Sequence, residues 1–270
     1  MGKEKRSAAE RELARLRIEE DRYIGERLEK KDSALNRLLA DKVPQKLRAT
    51  LDKTFAAAFR LVFEKGGGLI ELGCDREARE KQYKIDRYAA QIRGDRKSLR
   101  AFSRKAGGAG NVNLALSGAA GIGMGALGVG LPDIAVFTGL MLKNIYEIAL
   151  SYGYGYDSPE ERAFILRVIF GAVSYGDELR LADRELNALI DGEGGGETDM
   201  DALIARAAGG LSKELLYMKF LQGIPVVGIV GGVCDAVYMK RLTRYAQLKY
   251  RRRLYRELER EARPSAGSGE

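Results

Sequence analysis

Histidine is absent from this 270-residue sequence. Its absence removes imidazole bases, Ser-His and Cys-His nucleophile pairs, and most zinc and non-haem iron sites. Cysteine is scarce. Cys74 and Cys234 stand far apart with no CxxC spacing, so both are expected to be reduced, buried thiols and not metal ligands or a disulfide. No GxxxxGK[ST] occurs, which excludes P-loop chemistry. The opening residues MGKEKRSAAERELARLRIEEDRY lack the apolar run of a secretory signal. Arg6 stands where a myristoylated Met-Gly start has Ser or Thr. Strand-like alternation with turn chemistry is missing throughout, so the expected fold is all-α.

Charge is missing from one long stretch. Between Lys105 and Asp133 no side chain ionises, and the 27 residues 106–132, AGGAGNVNLALSGAAGIGMGALGVGLP, include nine glycines. A stretch so poor in side chains has to pack closely against protein, a phosphate or lipid. Gly123 to Gly128 matches GxGxxG, but the residues before it make a poor strand, and Pro132 falls where the required helix would be in its first turns. A dinucleotide site is therefore disfavoured. A second uncharged block, residues 220–234, contains GIPVVGIVGG. Laying Pro132 over Pro225 aligns two apolar segments of similar pattern. Ser117, Gly121 and Gly125 are four apart, as are Gly228 and Gly232, and Gly128 lies four before Pro132. Small residues at that spacing let helix backbones approach, most usefully in lipid. The expectation is a domain built around two Gly/Pro-containing apolar helical hairpins, buried in protein or inserted in a membrane.

The remaining chain has helical periodicity. Residues 1–43 are expected to form a charged N-terminal helical arm, 44–263 the main helical domain, and 264–270 a disordered tail. Leu47, Leu51, Phe55, Ala58, Phe59 and Val62 follow Pro44 at core-helix spacing. Asp75 opens a helix with a weaker stripe of Tyr83, Ile85, Tyr88, Ala89 and Ile92, closed by Gly94. After Pro132, residues Ile134 to Ala149 make a helix apolar around most of its circumference. Ser158-Pro159-Glu160-Glu161 is a helix start with a capping box. DGEGGGE, residues 191–197, is expected to be a flexible linker, followed by a short helix capped by Thr198 and a separate one over 213–222.

The formal net charge is +8, and residues 240–263 alone carry ten basic against three acidic side chains. Lys240, Arg241, Arg244, Lys249, Arg251, Arg252, Arg253 and Arg256, interleaved with tyrosines, are the candidates for binding an anionic partner. Membrane lipid headgroups and nucleic acid both satisfy that chemistry. No nucleic-acid module is present, and the adjoining apolar block favours lipid. Asp133, Glu147 and Asp235 are carboxylates in apolar surroundings. A facing pair could do acid–base work, but a helix-start role for Asp133 and salt bridges to cations such as Lys143 account for them. No catalytic residue, cofactor or metal is expected; the chain is read as a non-enzyme.

The segments GVGLPDIAVFTGLMLKNIYEIALSYGYGYD and KFLQGIPVVGIVGGVCDAVYMKRLTRYA, in this order, resemble the EcsC protein family. Lys143-Asn144 and Asp235 depart from residues common there. The resemblance covers roughly residues 101–252, with a looser likeness in the helical N-terminal part. It implies a helical protein, in a largely bacterial family named for a gene beside an ABC transporter linked to protein secretion, and brings no catalytic residues. The expected role is membrane association at the cytoplasmic face, with anionic lipid and a transporter or secretion component as partners. A soluble protein binding nucleic acid or another protein through the basic helix is the alternative.

Overall fold

The computed structural model describes residues 7–28, 43–65, 75–108, 132–193, 199–221 and 233–262. Among them are nine helices and no strands, so the fold is all-α as expected. In chain order they are α1 (Ala8–Leu28), α2 (Gln45–Lys65), α3 (Arg76–Arg93), α4 (96–108), α5 (Pro132–Ser151), α6 (Pro159–Val173), α7 (Gly176–Asp191), α8 (Met200–Leu221) and α9 (Val233–Ala262). Ser117, Gly121, Gly125, Gly128, Pro225, Gly228 and Gly232 lie outside the described residues, and with them the two hairpins, the GxGxxG match and the 264–270 tail.

Local signals place most helix ends. Asp75 Oδ1 accepts from the backbone N–H of Ala78 at 2.9 Å, and Gly94 closes α3 in a left-handed conformation. Ser158 Oγ accepts from the N–H of Glu161 at 3.2 Å, with Pro159 at the first helical position. The capping box is only half made, because the Glu161 carboxylate turns inward to Tyr250 and Arg253. A complete box forms instead on α1: Ser7 Oγ accepts from the N–H of Glu10, and Glu10 Oε2 from the N–H of Ser7. Asp199 Oδ1 caps α8, accepting from the N–H groups of Asp201 and Ala202; Thr198, the expected cap, lies outside the described residues. Beyond it a single helix runs through Gly209 and Gly210 where two were expected. A Cβ at Gly210 would come within 3.0 Å of Val173, so the glycine there admits close packing on α6 and does not break the helix. DGEGGGE also begins later as a loop than expected: Asp191 ends α7 and Gly192, at φ +78°, caps it.

The longest helix is the centre of the assembly. α9 packs against α1, α5, α6 and α7; α6 also meets α7 and α8; and α2 lies against α5 and α8. α5 is the one helix among the described residues long and apolar enough to cross a membrane, with mean hydropathy 1.3 over Ile134–Ser151. Two-thirds of that window is covered by the protein itself, with Ile145, Ile148 and Ala149 fully buried.

Two helices depart from their expected roles. α1 is not an exposed arm. Ala9, Leu13, Leu16, Glu20, Tyr23 and Arg27 are all buried, and their four-three spacing forms one continuous stripe against α9 and α7. Charges at two stripe positions, Glu20 and Arg27, hide the periodicity from a hydrophobicity reading. α3 departs in the opposite sense. It buries no residue, and Ile85, Tyr88 and Ile92, expected as its core stripe, face outward. Its inner face is polar: Arg76 pairs with Asp157 at 2.7 Å, Arg79 with Glu147 at 3.0 Å, and Arg87 with Glu257 at 3.1 Å. Tyr83 is the aromatic anchor of that face. A Cβ at Gly153 (φ +88°) would lie 2.1 Å from its ring, so both backbone conformation and space demand glycine there.

Candidate anion-binding groove

Most of the cations on α9 are spent inside the protein. Lys249 is 0 % exposed; its ammonium meets Glu20 at 2.7 Å and Asp183 at 2.6 Å, and donates to Asn187 Oδ1 at 2.8 Å. Arg252 bridges Glu20 at 2.8 Å and Asp191 at 2.6 Å. Arg256 takes the same Asp191 at 2.7 Å. Burial pushes the Asp191 carboxyl up, but hydrogen bonds from Arg256 and Arg252 outweigh it and hold it below the usual carboxylate range. Arg253 pairs with Glu161 at 2.5 Å and lies over the rings of Tyr154 and Phe164. Arg241 pairs with Glu214, and Arg251 with Glu19. The partner acids come from α1, α6, α7 and α8, so the positive run on α9 organises the bundle around itself. Burial and the facing carboxylates also push the phenols of Tyr245 (by Asp183) and Tyr250 (by Glu161) well above the usual tyrosine range, fixing both as hydrogen-bond donors.

Of the eight basic candidates, Lys240 and Arg244 remain exposed. Arg244 meets exposed Glu26 at a loose 3.4 Å. Arg244 belongs to a larger feature. A groove of about 1110 Å³ opens between α1, α4 and α9, lined by Arg15, Arg22, Arg100, Arg104, Arg244 and Arg251 against two acids, Glu12 and Glu19. Both acids are already engaged. Glu12 accepts from Arg96 at 2.8 Å and from Arg100 at 2.9 Å, and these bonds overcome its burial to hold its carboxyl below the usual range. Glu19 is held by Arg251 and, at 3.9 Å, by Arg15. Arg22 and Arg104 are exposed and meet no acid among the described residues. The Nε of Arg251 is closed off from solvent without an acceptor. Hydroxyls line the wall: Ser103 Oγ and Tyr255 Oη share a hydrogen bond of 2.7 Å, and Tyr152 Oη donates to the Ser103 carbonyl. Gly107 and Gly108, at the start of the uncharged stretch, form part of the rim.

Arg15, Arg22, Arg100 and Arg104 were not among the sequence candidates. Their signal was spread over α1 and α4, which become neighbours of α9 only in the folded chain. Glu147 is buried and salt-bridged to a cation, as expected; Arg79 of α3 pairs with it at 3.0 Å. Pro132 opens α5; the side chains of Asp133 and Asp235 lie outside the described residues. Among the described residues no group of three or more His, Cys, Asp or Glu side chains could hold a metal ion.

An all-helical domain, held together by ion pairs around one basic helix and carrying an arginine-lined groove, is the class of protein that fold and site define. The chain belongs to the EcsC protein family, which matches residues 7–254. The matched span includes α1, in keeping with its place in the core. No curated protein and no solved structure matches the chain.

Proposed function

We propose that this EcsC family protein works without catalysis at the cytoplasmic face of a membrane, where it holds anionic lipid headgroups. The observation that carries this reading is the groove: six arginines, two glutamates already neutralised, and a rim at which the uncharged stretch begins. Headgroup phosphates supply the acceptors that exposed Arg22 and Arg104 lack. The uncharged 106–132 stretch that begins at this rim offers, by its composition, apolar side chains suited to the acyl region beside those headgroups. A transporter or secretion system is the partner we propose, following what the family resemblance implies.

Vesicle flotation tests it. The protein is expected to float with vesicles containing phosphatidylglycerol and not with phosphatidylcholine alone. Each cation beside an anionic leaflet is worth about 1 kcal/mol, so Arg22→Glu with Arg104→Glu should weaken binding at least about tenfold. Loss of flotation in high salt identifies the headgroup contribution, and a salt-resistant remainder identifies the apolar one. No flotation with any vesicle, with salt-sensitive retention on random oligonucleotides, would replace lipid by nucleic acid.

A further inference from the structure

α3 is an amphipathic helix mounted inside out. Its polar face, with Arg76, Arg79 and Arg87, is turned to the protein and held by carboxylates of α5, α9 and the loop after α5. Its apolar residues are turned away. Ile85 is 54 % exposed, Tyr88 67 % and Ile92 67 %, and their spacing of three and four puts them on one stripe. Ala78 and Ala89 extend the same exposed face. The other large apolar side chains exposed among the described residues are Ile18, Leu61, Val136 and Leu181, each alone on a different helix. Isolated exposed apolar residues are ordinary, whereas a contiguous crest marks a surface that something covers.

The rim of the crest indicates what covers it. Lys81 and Lys84 flank it, Lys97 follows just beyond the helix end, and none of the three meets an acid among the described residues. Asp86, next to Ile85 in the chain, pairs with Lys105 at 2.8 Å. Apolar side chains with a tyrosine among them, bordered by cations, form the face of a helix that lies in the headgroup region of an anionic bilayer. We propose that the crest Ile85–Tyr88–Ile92 seats on an anionic lipid surface, with Lys81, Lys84 and Lys97 at the level of the phosphates. This rests on the membrane reading above and adds the face by which the folded domain meets the bilayer.

The sequence contains no tryptophan, so Tyr88→Trp places a lone fluorescent reporter on the crest. With vesicles of phosphatidylcholine and phosphatidylglycerol, its emission is expected to move to the blue and to be quenched by brominated acyl chains, in samples whose flotation is measured in parallel. Ile85→Asn combined with Ile92→Asn changes side chains that stand largely in water, so helix content by circular dichroism should hold. Salt-resistant flotation of that variant should fall at least about tenfold. Flotation of the reporter protein with unshifted, unquenched emission overturns the crest and leaves the groove reading intact. Absence of flotation by the unaltered chain removes the membrane reading and the crest together. A blue shift that grows with protein concentration without vesicles assigns the crest to a second copy and overturns the proposal.

Discussion

Lys249 shows how little a residue's type says of its task. In the sequence it is one cation in a basic run, indistinguishable from Lys240. In the fold Lys240 is exposed, while Lys249 is fully enclosed by Glu20, Asp183 and Asn187. Glu20 is 229 positions away in the chain, beyond any local pattern. Lys249→Met removes the positive charge and leaves two carboxylates facing each other in the interior. Breaking a buried pair in this way costs about 3–5 kcal/mol, to be read from urea unfolding followed by circular dichroism. A loss below about 1 kcal/mol would mean that water reaches the cluster and screens it. Asp191 makes the same point from the acidic side: it looked like the first residue of a glycine linker and instead receives Arg252 and Arg256.

Among the elements, α1 and α9 form the pair on which the rest depends. Glu19 with Arg251 and Glu26 with Arg244 show that they run antiparallel, and Tyr23 stacks on Tyr245 with ring centroids 5.5 Å apart. Deleting residues 1–28 would strip Glu20 from Lys249 and Arg252 and uncover the Tyr245 side of α9. Loss of cooperative thermal unfolding by circular dichroism is the expected result; an unchanged transition would make α1 the detachable arm its composition suggests. Helices with clean punctuation, such as α6 behind Ser158-Pro159 and α3 behind Asp75, were legible in the sequence because their caps are local. The faces of α1 and α3 were not legible. Hydrophobic periodicity assumes that a buried face is apolar, and here charges interrupt the stripe of α1 at Glu20 and Arg27 and make up most of the inner face of α3.

At the scale of the molecule, opposite charges from distant segments are layered between helices, so acid should undo the fold before alkali does. Glu12 and Asp191 have carboxyls held below their ordinary values by arginines, and their contribution is therefore complete above the unfolded carboxylate pKa of about 4. It is lost as pH falls through the lower, folded values. The urea midpoint is expected to be level from neutral pH down to about 5 and to drop steeply below about 4. A level midpoint down to pH 3 would mean that the pairs add nothing to stability. The net charge of +8 remains as an outward positive field once these pairs are made, and the groove and the cations beside the α3 crest are where it is directed.

The sequence by itself determined the helical class, the family, most helix starts and the surplus of positive charge. Each of these depends on residue type or on spacing within a few turns. Tertiary structure decided which cations are used internally and which are offered outward, that α1 belongs to the core, and that the apolar stripe of α3 faces away from it. The physical reason is that a charge becomes structural only when an opposite charge is brought within about 3 Å of it in a space closed to water. The acids that do this for α9 lie on α1, α6, α7 and α8, separated in sequence and adjacent only in the folded chain.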